Sequence, residues 1–256
     1  MIYQSTITHL RLAAGSKAAW SNPQRPLLHL FGITALRTIV YIDGFNLYYR
    51  MLKARPALKW LNPKLLAEQV LKSGHSIVRV NYYTARVSSR AHDPDAPARQ
   101  ANYLKALSSV PEITIHEGNF MISEPWMPLA NPPQAKPNGY QWTTPVPSVI
   151  KVLKYEEKGS DVNLGAHLVR DAFTNAFDVA VVLTNDSDLV EPIRITTSEA
   201  GKRVGLFAPV KFPNQSLINV SSFHLHIRTG HLARSQFSGQ IQMPDGSVIS
   251  KPPSWT

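Results

Sequence analysis

The stretch Asp178-Val179-Ala180-Val181-Val182-Leu183-Thr184-Asn185-Asp186-Ser187-Asp188 decides the fold. After Asp178 come five apolar residues, three of them valine, with no polar alternation. A run of that kind suits a strand buried on both faces, as in a parallel sheet. It stops at a polar Thr-Asn-Asp-Ser-Asp turn, and a helical pattern then continues to about Ala200. Gly201 closes that helix and a strand is predicted over Arg203–Phe207. Thr38–Ile42 (TIVYI) follows the same plan, a short β-branched run entering Asp43-Gly44 and then a helix over Asn46–Lys53.

The pattern repeats across the chain. Asn62-Pro63 is an N-cap followed by proline at the first helical position, and Leu65, Leu66, Val70 and Leu71 form a stripe closed by Gly74. Ile77–Val87 reads as a strand. His92–Pro97 reads as a polar loop and about Ala98–Ser109 as a helix. Ile113–His116 is a further strand, Asp161–Thr174 a helix, and Gln215–Phe223 a short helix. Residues 121–149 carry seven prolines, which remove donors and fix φ, so an irregular insertion is expected there. From about Gly230 apolar content falls, and residues 230–256 are expected to form a loose tail. Strands alternating with helices make this an α/β chain with a mainly parallel sheet covered on both faces. The central domain is expected over residues 37–229.

Composition narrows the chemistry. The 256 residues contain no cysteine, which removes thiolate metal sites, iron–sulfur clusters, thiol catalysis and disulfides, and fits a reducing, cytoplasmic compartment. A net charge of +10 favours a polyanionic partner such as RNA, although solubility alone accounts for many basic proteins. No apolar run approaches the roughly 18–20 residues that span a bilayer, so no membrane association is expected. Residues 1–42 hold no acid but carry Arg11, Lys17, Arg25 and Arg37, leaving +6 for the remainder. Residues 1–36 are therefore a basic N-terminal extension. A nucleic-acid arm, a transit-like segment and sequence upstream of the native start all fit it.

Function in open parallel sheets gathers beyond the carboxyl ends of the strands. Asp43 and Asp186 fall there by pattern, Asp188 lies two residues on, and Asp161 opens another helix behind Gly159-Ser160. Crowded carboxylates repel one another unless a cation neutralises them. Hard oxygen ligands favour Mg²⁺ or Mn²⁺, which can activate a water and steady a departing oxygen. Taken singly, each acid has a plainer role: Asp43 can shape an Asp-Gly turn, and Asp161 and Asp188 can serve helix N-termini, worth about 0.3–1 kcal/mol.

Three segments then resemble the motifs of NYN domains, a branch of the PIN-like nucleases, in order and spacing. They are Tyr41-Ile42-Asp43-Gly44-Phe45-Asn46-Leu47-Tyr48, Lys158-Gly159-Ser160-Asp161-Val162 and Leu183-Thr184-Asn185-Asp186-Ser187-Asp188-Leu189. Gly201-Lys202-Arg203-Val204-Gly205 is similar to the strand that follows the third motif. The resemblance spans roughly residues 37–210. It implies a PIN-like three-layer α/β/α sandwich and a ribonuclease-like, metal-dependent phosphodiesterase. Asp43, Asp161, Asp186 and Asp188 would be its catalytic and metal-binding set. Asn46 would steady the first carboxylate or touch substrate. Thr184 keeps the hydroxyl of the family's Ser-Gly-Asp motif, whereas Asn185 replaces its glycine and narrows backbone approach. Lys158 is expected either to contact a phosphate or to stay solvated.

Two other functions remain open. Some bacterial NYN-type proteins hydroxylate a pyridine ring with NADH in nicotine breakdown, taking 6-hydroxy-3-succinoylpyridine to 2,5-dihydroxypyridine. In that case Trp126 and Trp142 of the proline-rich insertion would line a pocket for a small aromatic substrate. A non-catalytic RNA-binding module is the third possibility. The chain has no P-loop, no G-x-G-x-x-G after a strand and no G-x-S-x-G elbow. No NADH site is legible. His224 and His226 lack a metal-ligand spacing. Tyr48, Tyr49, Tyr82 and Tyr83 fit base stacking or sheet packing, and Arg79, Arg86, Arg90 and Arg99 fit a backbone path or scattered surface charge.

Overall fold

The repeated strand-then-helix pattern becomes a seven-stranded sheet in the computed structural model of the chain, which describes residues 35–89, 93–130 and 145–256. The N-terminal extension up to residue 34, Arg90, His92 and Trp142 lie outside the described residues. The sheet strands are β1 (Leu36–Asp43), β2 (His75–Ala85), β3 (Ile113–Ser123), β6 (Lys154–Lys158), β7 (Val179–Leu183), β8 (Arg203–Ala208) and β9 (Phe223–His226). Between β3 and β6 sits a separate small hairpin of β4 (Trp126–Pro128) and β5 (Val149–Lys151). The sheet order is β6-β3-β2-β1-β7-β8-β9, and every pairing is parallel except β3 with β6.

Each central strand feeds both faces. On β1, Val40 and Ile42 pack with Val80, Val181 and Leu183 beneath α2 (Pro63–Val70) and α3 (Ala96–Ser108). Ile39 and Tyr41 turn the other way, with Ala180, Val182 and Leu206, beneath α4 (Ser160–Phe173), α5 (Val190–Arg194) and α6 (Gln215–Val220). This alternation is the period-two geometry of a strand, and two helix layers on one sheet make an α/β/α sandwich. All five residues of β7 are fully buried, as its unbroken apolar run requires. Among the described residues, no helix is long and apolar enough to cross a membrane.

Several expectations are corrected. The region Gln215–Phe223 is not one helix: α6 ends at Val220 and Phe223 begins edge strand β9. The expected helix after the Thr-Asn-Asp turn is instead a 3₁₀ turn over Ser187–Leu189, then α5, then a π-turn over Ile195–Glu199. β3 runs past His116 to Ser123, and within the insertion Trp126 is 69% exposed on the hairpin.

The tail from Gly230 is not loose. Helix α7 (Thr229–Arg234) buries Leu232, and the hairpin of β10 (Gln240–Gln242) and β11 (Val248–Ser250) buries Ile249. Trp255 closes against Trp60 and Tyr103 at ring separations of 6.1 and 6.0 Å. Trp60 also donates from its indole to the Ser238 carbonyl at 2.7 Å. A few large aromatics hold this segment down where average apolar content misled, because each buries far more surface than an aliphatic residue. Residues 36–256 accordingly form one unit.

Candidate functional site

Strand order reverses direction at β1. The chain lays down β2 and β3 on one side of it, then β7, β8 and β9 on the other. The crevice beyond the carboxyl ends of β1 and β7 is the topological switch point. Asp43 ends β1, and Ile42 is in register with Leu183, so Asp43 meets Thr184 across the gap.

Asp43 is buried, yet its carboxylate is satisfied. Oδ1 accepts the Asn46 backbone N–H at 2.8 Å, while Oδ2 accepts the Asn46 amide at 2.5 Å and the Thr184 hydroxyl at 3.1 Å. The first of these is also the N-cap of the helical turn α1 (Gly44–Leu47), so the turn and the carboxylate fix one another. Burial raises the Asp43 pKa, the Asn46 and Thr184 hydrogen bonds pull it back, and Asp186 pushes it up again. Gly44 is required by close approach: a Cβ there would lie 2.6 Å from the Tyr83 carbonyl oxygen.

Asn46 also reaches across the crevice, its Oδ1 accepting the Asn185 backbone N–H at 3.3 Å. Thr184 accepts the Asp186 N–H at 3.1 Å, and Asp186 caps the following 3₁₀ turn through the Asp188 N–H at 3.1 Å. The Asn185 side chain, where the motif usually has glycine, accepts the Asn214 N–H at 2.9 Å and ties the crevice to the start of α6. It braces the backbone from behind instead of filling the site.

Asp161 approaches from the first turn of α4. Burial first, then Asp43, Asp186, Glu157 and Asp188, push its pKa up to about 6. Asp43, Asn46, Asp161, Asp186 and Glu157 together line one cleft of about 280 Å³. Its aromatic walls are Phe45, Tyr49, Phe120 and Tyr155. Among the described residues, no lysine or arginine lines it. Thr184 lies buried behind the cleft, and Asp188 is exposed on the 3₁₀ turn, felt at Asp161 as charge. Lys158 points elsewhere, its ammonium 3.6 Å from Glu156.

Glu157 joins the acids without a sequence signal. It sits at the end of β6, accepting from the Ser160 N–H at 3.0 Å and the Ser160 hydroxyl at 2.7 Å, which caps α4. The spacing Glu157-x-x-Ser160 reverses the usual capping order, so no familiar signature flags it. The arginines and tyrosines outside the motifs do not converge on the cleft as a group. Arg79, Arg86 and Arg99 pair with Asp171, Glu117 and Asp93, and Tyr82 and Tyr83 are buried in the sheet. His224 and His226 are exposed on β9 with ring centroids 6.1 Å apart.

Do these acids suit a divalent cation? Among the described residues, no three acids or histidines stand close enough to clasp a metal by themselves. The uncompensated charge around Asp161 nevertheless calls for a counter-ion, and every donor is a hard oxygen. Mg²⁺ is ordinarily held by one or two carboxylates, with waters and phosphate oxygens completing its shell. The donor set fits an ion bound in that open manner.

Known proteins resemble this chain in sequence. The family model described as "NYN domain" matches residues 128–227, a span that includes Asp161, Asp186 and Asp188. The chain is 30% identical over 245 residues to 6-hydroxy-3-succinoylpyridine 3-monooxygenase of Pseudomonas putida, covering 86% of this chain and 75% of that protein. A solved structure of a protein of unknown function from Vibrio parahaemolyticus aligns with a TM-score of 0.44 at 12% identity, covering 77% of this chain and 95% of that one.

Proposed function

The chain belongs to the NYN domain family, and on that premise we propose that it is a metal-dependent phosphodiesterase that cleaves RNA at the acidic cleft. One observation carries the reading: four carboxyl groups line a single cleft at the sheet's switch point with no basic residue among them. One or two of the carboxylates of Asp43, Asp161 and Asp186 would hold a Mg²⁺ or Mn²⁺ ion in that open manner, and when bound it supplies an acidified water and a counter-charge for the departing oxygen. Asn46 and Thr184 keep the Asp43 carboxylate in place through three hydrogen bonds, so little reorganisation is needed there. The rings of Phe45, Tyr49 and Phe120 offer faces on which unpaired bases can stack. The net charge of +10 draws in a polyanion, while the bare acids repel its phosphates until a cation is present. Asp186→Asn should abolish Mn²⁺-dependent RNA cleavage while leaving the melting curve intact. Cleavage that persists in the folded variant removes this reading.

A second reading, NADH-dependent hydroxylation of a pyridine ring, is favoured by the similarity to the Pseudomonas monooxygenase. The aromatic walls of the cleft suit a planar ring as well as they suit a base. A parallel assay separates the two: RNA with Mn²⁺ against a hydroxypyridine with NADH. Ring-dependent NADH oxidation by a protein that leaves RNA intact selects the hydroxylase.

A further inference from the structure

Phe45 and Tyr49 are the shared wall between the acidic cleft and a second cavity of about 220 Å³ on the α3 side of the sheet. The second cavity owes its shape to a π-turn over Tyr48–Leu52, directly after α1, closed by the Lys53 N–H on the Tyr48 carbonyl at 2.7 Å. The wider turn directs Tyr48, Tyr49 and Leu52 toward the cavity, and π-turns of this kind recur at functional sites. Tyr82, Tyr103 and Trp255 complete its aromatic lining.

The charge of the two chambers is opposite. Lys53, Lys59 and Arg99 line the second cavity against a single acid, Asp93, whereas the charged residues lining the first are all acids. Asp93 is already engaged by Arg99 at 2.5 Å. Lys59 is half-buried, with its ammonium 5.5 Å from the Tyr48 ring centroid, and no carboxylate among the described residues forms an ion pair with it. Lys53 similarly sits 5.2 Å from the Tyr49 ring. Keeping a cation part-buried without a partner is costly unless an anion arrives to share the site. The Gln100 side chain stiffens the wall, donating to the Ala85 carbonyl and accepting the Val87 N–H, both at 2.8 Å.

We propose that this chamber is a binding site for a planar aromatic anion, its ring held among Tyr48, Tyr82 and Trp255 and its anionic group taken by Lys59 and Arg99. Aromatic faces select a flat ring, and the cations select its charge. Two sources share that chemistry: a nucleoside monophosphate, or a small aromatic carboxylate. The site stands whichever reaction the neighbouring acids perform.

Titration of the full-length protein by calorimetry, with uridine 5′-monophosphate and separately with pyridine-3-carboxylate, tests it. Pyridine-3-carboxamide serves as the neutral control. The expected result is saturable one-to-one binding of at least one anion, roughly tenfold or more tighter than the amide. Lys59→Met should erase that preference while leaving amide binding unchanged and without lowering the melting temperature. Arg99→Met should weaken the anion in the same way. Asp186→Asn, which disables the acidic cleft, should leave anion binding intact, so the chamber and the cleavage reaction stand or fall separately. Uridine monophosphate as the tighter ligand identifies a nucleotide site, and the carboxylate as the tighter ligand identifies a small-molecule site. Absence of saturable binding by either anion, or anion binding unchanged in both Lys59→Met and Arg99→Met, overturns the proposal.

Discussion

Asp161 is a half-buried carboxyl set among like charges. Its carboxyl is lifted from 3.8 to about 6 by burial and by Asp43, Asp186, Glu157 and Asp188. A carboxyl bound more tightly to its proton in the folded state stabilises the fold fully below its unfolded pKa of 3.8. That contribution is lost as pH rises through about 6. In metal-free buffer, Asp161→Asn should therefore raise the melting temperature at pH 8, and the gain should vanish at pH 3.5. Millimolar Mn²⁺ should raise the melting temperature of the parent protein at pH 8 more than that of the variant. Asn46 acts differently, since it holds Asp43 and the Asn185 backbone at once. Residues that orient a ligating group typically change affinity or activity about 10–100-fold. Asn46→Ala is expected to lose metal-dependent cleavage in that range, with far-ultraviolet circular dichroism unchanged.

At the scale of elements, the acids of the cleft come from places where a strand hands over to a helix. Each handover uses its own device: Asp43 capping α1, Asp186 capping the 3₁₀ turn, and Glu157 with Ser160 opening α4. The last depends on Gly159, which takes φ of +98° immediately before the helix. A side chain there meets no atom within 4 Å, so the penalty of substitution is conformational alone. Gly159→Ala should cost about 1–2 kcal/mol in urea unfolding, the usual penalty for a left-handed non-glycine residue. Activity should fall with it if the turn places Asp161. The strands of the centre were legible because unbroken apolar runs such as Val179–Leu183 leave little alternative. Edge elements were not. Strand β6 (Lys154–Lys158) reads Lys-Tyr-Glu-Glu-Lys and is specified by pairing with β3 rather than by its own composition.

Across the whole molecule, the chain's end is built into the same core as the first strand of the sheet. Trp255, at the far C-terminus, packs on Trp60 and Tyr103 and lines the aromatic chamber. Trp255→Ala should lower unfolding free energy by about 3–5 kcal/mol, the range for deleting a buried aromatic. It should also weaken ring binding in the chamber, measured by the same titration. The sequence by itself determined the α/β class, the parallel centre, and the positions of Asp43, Asp161 and Asp186 at element ends. Those properties follow from local periodicity and turn chemistry, which are written in neighbouring residues. Only the tertiary structure decided that Glu157 joins the acids while Lys158 leaves them, and that the tail is packed rather than loose. It alone decided that Tyr48, Tyr82 and Trp255 come together in one aromatic chamber. These outcomes depend on which strands become neighbours, and no local pattern carries the strand order β6-β3-β2-β1-β7-β8-β9 that brings such distant residues together.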